Sequence, residues 1–294
     1  MRTAQSRCRR DFTRVRAGRN PVTGATVRSH EKADAMILLA QISDTHFDLT
    51  PRNAERVATV LGYLERLPRR PDAVLVTGDL TDSGTLAQYE QARKALSTDI
   101  PLYVLPGNHD DRAHLCEGLL DVPAPDGPIN HAVEVGGLTV AMLDSTIPGS
   151  GGGALGEQTY AWLDRLLDRT PADAQVLIAL HHPPMPMFST VVDPIRLADP
   201  ERLERTIAGD DRILGVLAGH MHAMGTTLFG GRPLVVAPSV ASAIGGAWEV
   251  GAPGEVPIDY APDPSVVLHA VADGRLTTIV RTVPMGGRIS VQPC

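Results

Sequence analysis

Five short polar blocks carry the side chains best suited to bind metal: D-T-H at Asp44 and His46, G-D at Asp79, G-N-H-D at Asn108, His109 and Asp110, the pair His181 and His182, and G-H-M-H at His220 and His222. Together they offer carboxylate oxygen, imidazole nitrogen and an amide oxygen. That mixed set suits Mn²⁺, Fe, Zn²⁺ or Co²⁺, and the lack of thiolates disfavours a structural zinc. In an extended segment, D-x-H and H-x-H send two side chains to the same side, toward adjacent coordination positions. Any one block is ordinary turn chemistry. Five in succession are not, and six of the ten histidines fall within them. Such a cluster marks a site with room for two metals.

Each block follows a short apolar run. The runs at 37–42, 73–76, 102–105, 176–180 and 213–218 end directly before the five blocks, and further runs lie at 138–143 and 234–237. Continuous apolar runs of this length read as strands buried on both faces. Helical spacing of apolar residues appears at 53–67, 86–96 and 158–167, which gives a strand–helix–strand rhythm. In an α/β sheet, strand C-termini on one edge converge on one crevice, so the blocks are expected to meet there. Gly136-Gly137 and Asp273-Gly274 sit between β-like runs as hairpin signals. Part of each sheet is therefore antiparallel, and two mixed sheets are expected. Two Gly/Pro-rich stretches, 148–156 and 251–264, read as exposed loops within one domain.

Composition narrows the function. With 294 residues, 43% of them hydrophobic, the chain can bury a large core, and with 4% aromatics that core must be mainly aliphatic. The net charge is −7, with +6 in residues 1–35 and −13 in the remainder. An acidic body does not track phosphates, which argues against nucleic acid as a partner. The basic segment 1–35 lacks the apolar stretch of a secretory signal and reads as a disordered tail or an upstream-called start, since Met36 directly precedes the first strand. No run reaches membrane-span length. Three widely spaced cysteines, Cys8, Cys116 and Cys294, form no framework, so a reducing, cytoplasmic setting is expected. One catalytic domain is expected over residues 36–294.

These blocks resemble the signature of the calcineurin-like metallophosphoesterase superfamily, D-x-H, GD, GNH[DE], H and GHxH, over about residues 37–285. Finer features at 107–112, 143–149, 180–184 and 239–242 are similar to bacterial class III cyclic nucleotide phosphodiesterases. The resemblance implies a four-layer α/β/β/α sandwich of two mixed sheets flanked by helices. It also implies two metal ions, Mn, Fe, Zn or Co, and a small phosphodiester substrate, with dimers common in the family. One metal would be held by Asp44, His46, Asp79 and His222, the other by Asp79, Asn108, His181 and His220, with Asp79 bridging. In the implied reaction a hydroxide bridging both metals attacks phosphorus, and His109 contacts the phosphate and helps protonate the departing oxygen. For a 3′,5′-cyclic nucleotide such as cAMP, this opens the ring to a monophosphate.

Several roles stay open. His182 is either a support behind the ligands or faces substrate, and Arg112 either faces a phosphate or pairs with Asp110 or Asp111. Met185, Met187 and Phe188 either stack on a base or pack. His30, His114, His131 and His269 lie outside every block and read as ordinary. Glycerophosphodiesters and other small diesters are the rival substrates, and the segments 185–192 and 245–260 are the expected pocket wall. A non-catalytic scaffold of the same fold would show broken ligand blocks, and here all are intact.

Overall fold

The computed structural model describes residues 36–252 and 255–286. The expected disordered segment 1–35 lies outside the described residues. In chain order the elements are β1 (Ile37–Ile42), α1 (Pro51–Glu65), β2 (Ala73–Thr77), α2 (Leu86–Ala95), β3 (Leu102–Leu105), the short α3 (Arg112–Leu115) with a π-helical turn Cys116–Leu120, β4 (His131–Val135) and β5 (Leu138–Leu143). There follow α4 (Glu157–Arg169), β6 (Gln175–Leu180), α5 (Glu201–Gly209), β7 (Ile213–Ala218), β8 (Gly225–Phe229), β9 (Arg232–Val236), β10 (Ala243–Ile244), β11 (Ile258–Asp259), β12 (Ser265–Ala272) and β13 (Arg275–Thr282).

Two sheets stack face to face. The first has the order β13-β12-β1-β2-β3 and the second β4-β5-β6-β7-β9-β8. β1, β2 and β3 are mutually parallel, as are β5, β6, β7 and β9, while β4, β8, β12 and β13 join antiparallel. Both sheets are mixed, as expected. Helices α1 and α2 cover the outer face of the first sheet through Val57, Val60, Leu61, Leu64 and Tyr89. Helices α4 and α5 cover the second through Leu163, Leu167, Leu203 and Ile207. Between the sheets lies an aliphatic layer that includes Leu39, Leu75, Val140, Leu177, Leu217 and Val267. The result is the four-layer α/β/β/α sandwich. Each fully buried aliphatic side chain contributes about 1.5–3 kcal/mol to holding the layers together.

Local sequence explains many element ends. Pro51 opens α1, where a missing N–H costs nothing, and Thr85 with Gln88 forms a capping box on α2. Both hairpin signals hold, with Gly136 and Gly137 at φ 60° and 96° and Asp273 and Gly274 at 49° and 69°. The structure adds α5, β8 and the small β10–β11 pair. Helix α5 escaped the periodicity because only Leu203 and Ile207 face the core. The 148–156 stretch is not a fully exposed loop: Gly153 is buried and bridges to both Thr146 and Leu197. The 251–264 stretch is largely exposed where described, but its β11 pairs with β10.

Candidate metal centre

Parallel pairing puts the ends of β1, β2 and β3 on one edge of the first sheet and those of β6, β7 and β9 on the matching edge of the second. A bridge between Ser43 and Ser239 joins the two edges, and Gln41 spans the sheets from β1 by donating to Thr77 Oγ1 (3.0 Å) and Ala218 O (2.9 Å). The five polar blocks all leave from this seam.

The backbone there is unusual. Ten described non-glycine residues have positive φ, and five of them are Asp44 (54°), His46 (41°), Asp79 (49°), His220 (71°) and His222 (55°). A non-glycine residue held this way costs on the order of 1–3 kcal/mol, so the surrounding contacts must enforce it. They do so through Asp44 N–H to Gly78 O (3.0 Å), His46 N–H to Asp79 O (3.0 Å), and His220 N–H to the Asp44 carboxylate (3.1 and 3.2 Å). Gly107 is required at its position because a Cβ would lie 2.2 Å from Asp79 Oδ1.

Two lobes of donor atoms meet at Asp79. Its Oδ1 accepts from His109 N–H (2.9 Å), which turns Oδ2 toward His181 Nε2 (3.3 Å) on one side and His46 Nε2 (3.6 Å) on the other. In the first lobe, His46 Nε2 and His222 Nε2 are 3.1 Å apart and Asp44 Oδ1 lies 3.5 Å from His222 Nε2. In the second, His181 Nε2 lies 3.2 Å from both Asn108 Oδ1 and His220 Nδ1.

The tautomers sharpen this picture. His181 Nδ1 lies 2.8 Å from Thr77 O and must donate to it, so in the neutral ring Nε2 carries a lone pair that faces the Asp79 and Asn108 oxygens. Such a gathering repels itself unless a proton or a metal cation sits in its midst. Without metal, the proton takes that place: burial alone would lower the His181 pKa, but Asp79 raises it to about 9. Burial would likewise raise Asp79, yet His181, His46 and His109 hold it well below the usual carboxylate range. Burial is the main force on His220 and His222 and keeps both lowered, hence neutral and available as ligands. The donor set fits a metal pair: Asp44, His46, Asp79 and His222 could hold one ion, and Asp79, Asn108, His181 and His220 of the second lobe another.

The remaining predicted residues fall into place as follows. His109 is exposed at the lip, with Nδ1 donating to Asp82 O (2.8 Å) and its ring edge-on to His46 at 4.7 Å. His182 lies behind the ligand cluster. It is fully buried, its Nε2 donates to Gly151 O (3.2 Å) and its Nδ1 accepts from Ser145 Oγ (2.8 Å), so neither nitrogen is free to bind metal although the ring packs beside His181. Arg112 pairs with neither Asp110 nor Asp111; it donates to Asp144 Oδ2 (2.7 Å) and Thr146 O (2.8 Å). Asp110 instead accepts from Leu80, Thr81 and Gly107 N–H groups and from Tyr89 Oη, which pins the G-N-H-D turn. Met187 is buried, Met185 half-buried, and Phe188 exposed.

Sequence reasoning missed three supports. Asp82, three residues after Asp79, reaches within 3.7 Å of His46 Nδ1; Ser242 lies 2.8 Å from His222 Nδ1; Asp144 anchors Arg112. All three stand inside or beside segments already singled out, but their partners come from elsewhere in the chain. Volume would not have found the site either: a cavity of about 1000 Å³ lies between β4 and α4, lined by Pro123, His131, Trp162 and Leu166, with none of the clustered donors.

The profile of the family described as Calcineurin-like phosphoesterase matches residues 37–224. A probable cyclic nucleotide phosphodiesterase of Rhodococcus erythropolis is 32% identical over 278 residues, covering 90% of this chain and 89% of its own. The glycerophosphodiester phosphodiesterase GpdQ of Enterobacter lignolyticus is 31% identical, covering 69% of this chain and 77% of its own. Among solved structures, a dimetal phosphatase from Danio rerio superposes with a TM-score of 0.56 at 16% identity, covering 84% of this chain and 99% of its own, a likeness of fold.

Proposed function

The chain belongs to the calcineurin-like phosphoesterase family, and on that premise we propose that it is a metal-dependent phosphodiesterase that hydrolyses 3′,5′-cyclic nucleotides to nucleoside monophosphates. The observation that carries the reading is the Asp79 carboxylate, with one oxygen fixed by His109 N–H and the other turned toward imidazoles of both lobes. Asp44, His46, Asp79 and His222 hold one metal, and Asp79, Asn108, His181 and His220 hold the other. A metal pair supplies Lewis acidity at the phosphoryl oxygens and a potent nucleophile at neutral pH.

The chain's own residues do the rest. Because His109 Nδ1–H is committed to Asp82 O, its Nε2 is the edge left to meet substrate; in the imidazolium form Nε2–H steadies an equatorial oxygen and passes its proton to the departing ester oxygen, leaving the neutral Nδ1–H ring. Thr77 O and Ser242 Oγ orient His181 and His222 from behind, which holds their ligating nitrogens on line. Among the described residues no helix is long and apolar enough to cross a membrane, and the acidic body favours a small diester over a polyanion.

The choice of cyclic nucleotide is supported by the Rhodococcus relative, whose similarity spans nearly both chains. A second reading, glycerophosphodiesters, is favoured by the likeness to GpdQ. Manganese-loaded protein assayed on bis-p-nitrophenyl phosphate, 3′,5′-cAMP, 2′,3′-cAMP and glycerophosphocholine, beside Asn108→Ala, separates them. Turnover of 3′,5′-cAMP comparable to the best substrate, and lost in the variant, supports the first reading. Inert cAMP beside rapid cleavage of glycerophosphocholine supports the second.

A further inference from the structure

Two aromatic rings stand out of the protein on segments that adjoin the metal centre. Phe188 is 70% exposed and Trp248 76% exposed. Exposed rings on fixed loops are costly in water and can mark contact sites. These loops are fixed to one another and to the site. Ala247 N–H donates to Phe188 O (2.7 Å), and four residues before Trp248 the N–H of Ile244 donates to the carbonyl of His222, a residue of the first lobe (3.3 Å).

Neither ring is there by default. Phe188 sits at φ 60°, a left-handed conformation that a bulky side chain rarely adopts. Its loop is held there by Met187 N–H to Asp193 Oδ1 (2.8 Å) and Val192 N–H to Ser189 Oγ (3.2 Å). The Trp248 indole folds back over Gly246, where a Cβ would approach it to 2.6 Å, so the missing side chain creates the seat for the ring. One side of the indole rests on the chain, and most of the ring is open.

We propose that Trp248 and Phe188 form a nucleobase-binding rim, a specificity site for a diester that carries a planar heteroaromatic group. The proposal rests on the diesterase reading above and names the substrate class that the same site selects. Flat, uncharged faces suit a stacked base. A quaternary ammonium such as choline would need a cage of several ring faces and a nearby negative charge. Here Tyr260, the other aromatic residue of the 245–260 segment, already has the Arg52 guanidinium over its ring at 5.3 Å.

The chain has two tryptophans, so Trp162→Phe leaves Trp248 as the sole indole reporter. In zinc-loaded Trp162→Phe protein, adenosine monophosphate is expected to quench the fluorescence saturably, whereas glycerophosphocholine leaves it unchanged. In manganese-loaded Trp248→Ala and Phe188→Ala, the ratio of kcat/KM on 3′,5′-cAMP to that on glycerophosphocholine is expected to fall about tenfold or more, the loss that accompanies removal of one base–aromatic stack. Absence of quenching, an unchanged ratio, or a ratio that rises because glycerophosphocholine suffers more would each overturn the rim. If wild-type protein cleaves diesters yet fails these tests, the rim alone falls. If the loaded wild type cleaves no diester, the proposed function falls with it.

Discussion

Histidine is used in two opposite ways in this molecule. In the layer between the sheets, His269 is fully buried in β12, with Nδ1 2.9 Å from Thr278 Oγ1 and Nε2 2.9 Å from Gln41 Oε1. Gln41 passes the network on to Thr77 and Ala218, so the chain of polar groups crosses from one sheet to the other with each contact made. Burial pushes the His269 pKa down to about 3, and the ring stays neutral. At the seam edge, imidazoles confront one another instead: His46 with His222 at 3.1 Å and His181 with His220 at 3.2 Å. The difference teaches what a binding site costs. The core histidine meets complementary partners and stabilises the fold, while the edge histidines, three of the four at positive φ, crowd together and wait for a cation to complete them.

Substitutions should separate the two regions, with the largest effect at the shared carboxylate. Outer partners of a metal site are worth about 10–100-fold in affinity or activity, so Asp79→Asn, which alters a donor common to both lobes, should cost more than about 10²-fold in kcat/KM. Metal analysis of the purified variant should find fewer than the wild-type complement. Retention of both ions and full activity would remove Asp79 from the centre.

His109→Ala should lower kcat by about 10²–10⁴-fold, the range for loss of a general acid. Because His109 lies outside both ligand sets, its metal content should match wild type. A variant that loses metal as readily as Asp79→Asn would make His109 a ligand instead.

His269→Ala should act on stability. It removes a packed ring and leaves Gln41 Oε1 without its donor, an expected cost of about 2–4 kcal/mol in urea unfolding of the metal-free protein. Activity per folded, metal-loaded molecule should stay near wild type. If it collapses with the fold intact, the contrast between core and edge histidines is wrong.

The smallest effect is a graded one with pH. In the metal-free protein His181 is raised to about 9, and the His46 pKa is also raised, since Asp82, Asp79 and Asp44 outweigh its burial. A metal must displace those protons, so apparent affinity should climb by about tenfold per pH unit for each one displaced, and level off above about pH 9. The lowered His220 and His222 contribute no proton. Conversely, because its folded-state pKa is raised, His181 lends the metal-free fold stability that is fully present below its ordinary value of 6.5 and lost as pH rises through about 9. Calorimetric manganese titrations between pH 6.5 and 8 in buffers of different ionisation enthalpy would count the protons. A flat affinity with no proton release would break the account.

Much of this was legible in the chain itself. Apolar runs marked the strands that end in ligands, the Gly-Gly and Asp-Gly pairs marked both hairpins, and all seven predicted ligands meet at the seam. What failed to show was pairwise. The partners of His182, Ser145 and Gly151 on its two nitrogens, left no mark in the sequence. Arg112 had two acidic neighbours in sequence and chose a third, Asp144, 32 residues away. The stretch 148–156 read as an exposed loop because its glycines carry no periodic signal, yet Gly153 lies so close to His182 that a Cβ would approach the ring to 2.3 Å.

The sequence by itself determined which residues could ligate and that they would stand at the ends of strands, because donor chemistry and strand period are local properties of the chain. Tertiary structure alone decided which oxygen of Asp79 faces the imidazoles and which partner each histidine nitrogen meets. Those depend on partners as far apart as the 176 residues between Asp44 and His220, and no local pattern encodes a hydrogen bond of that reach.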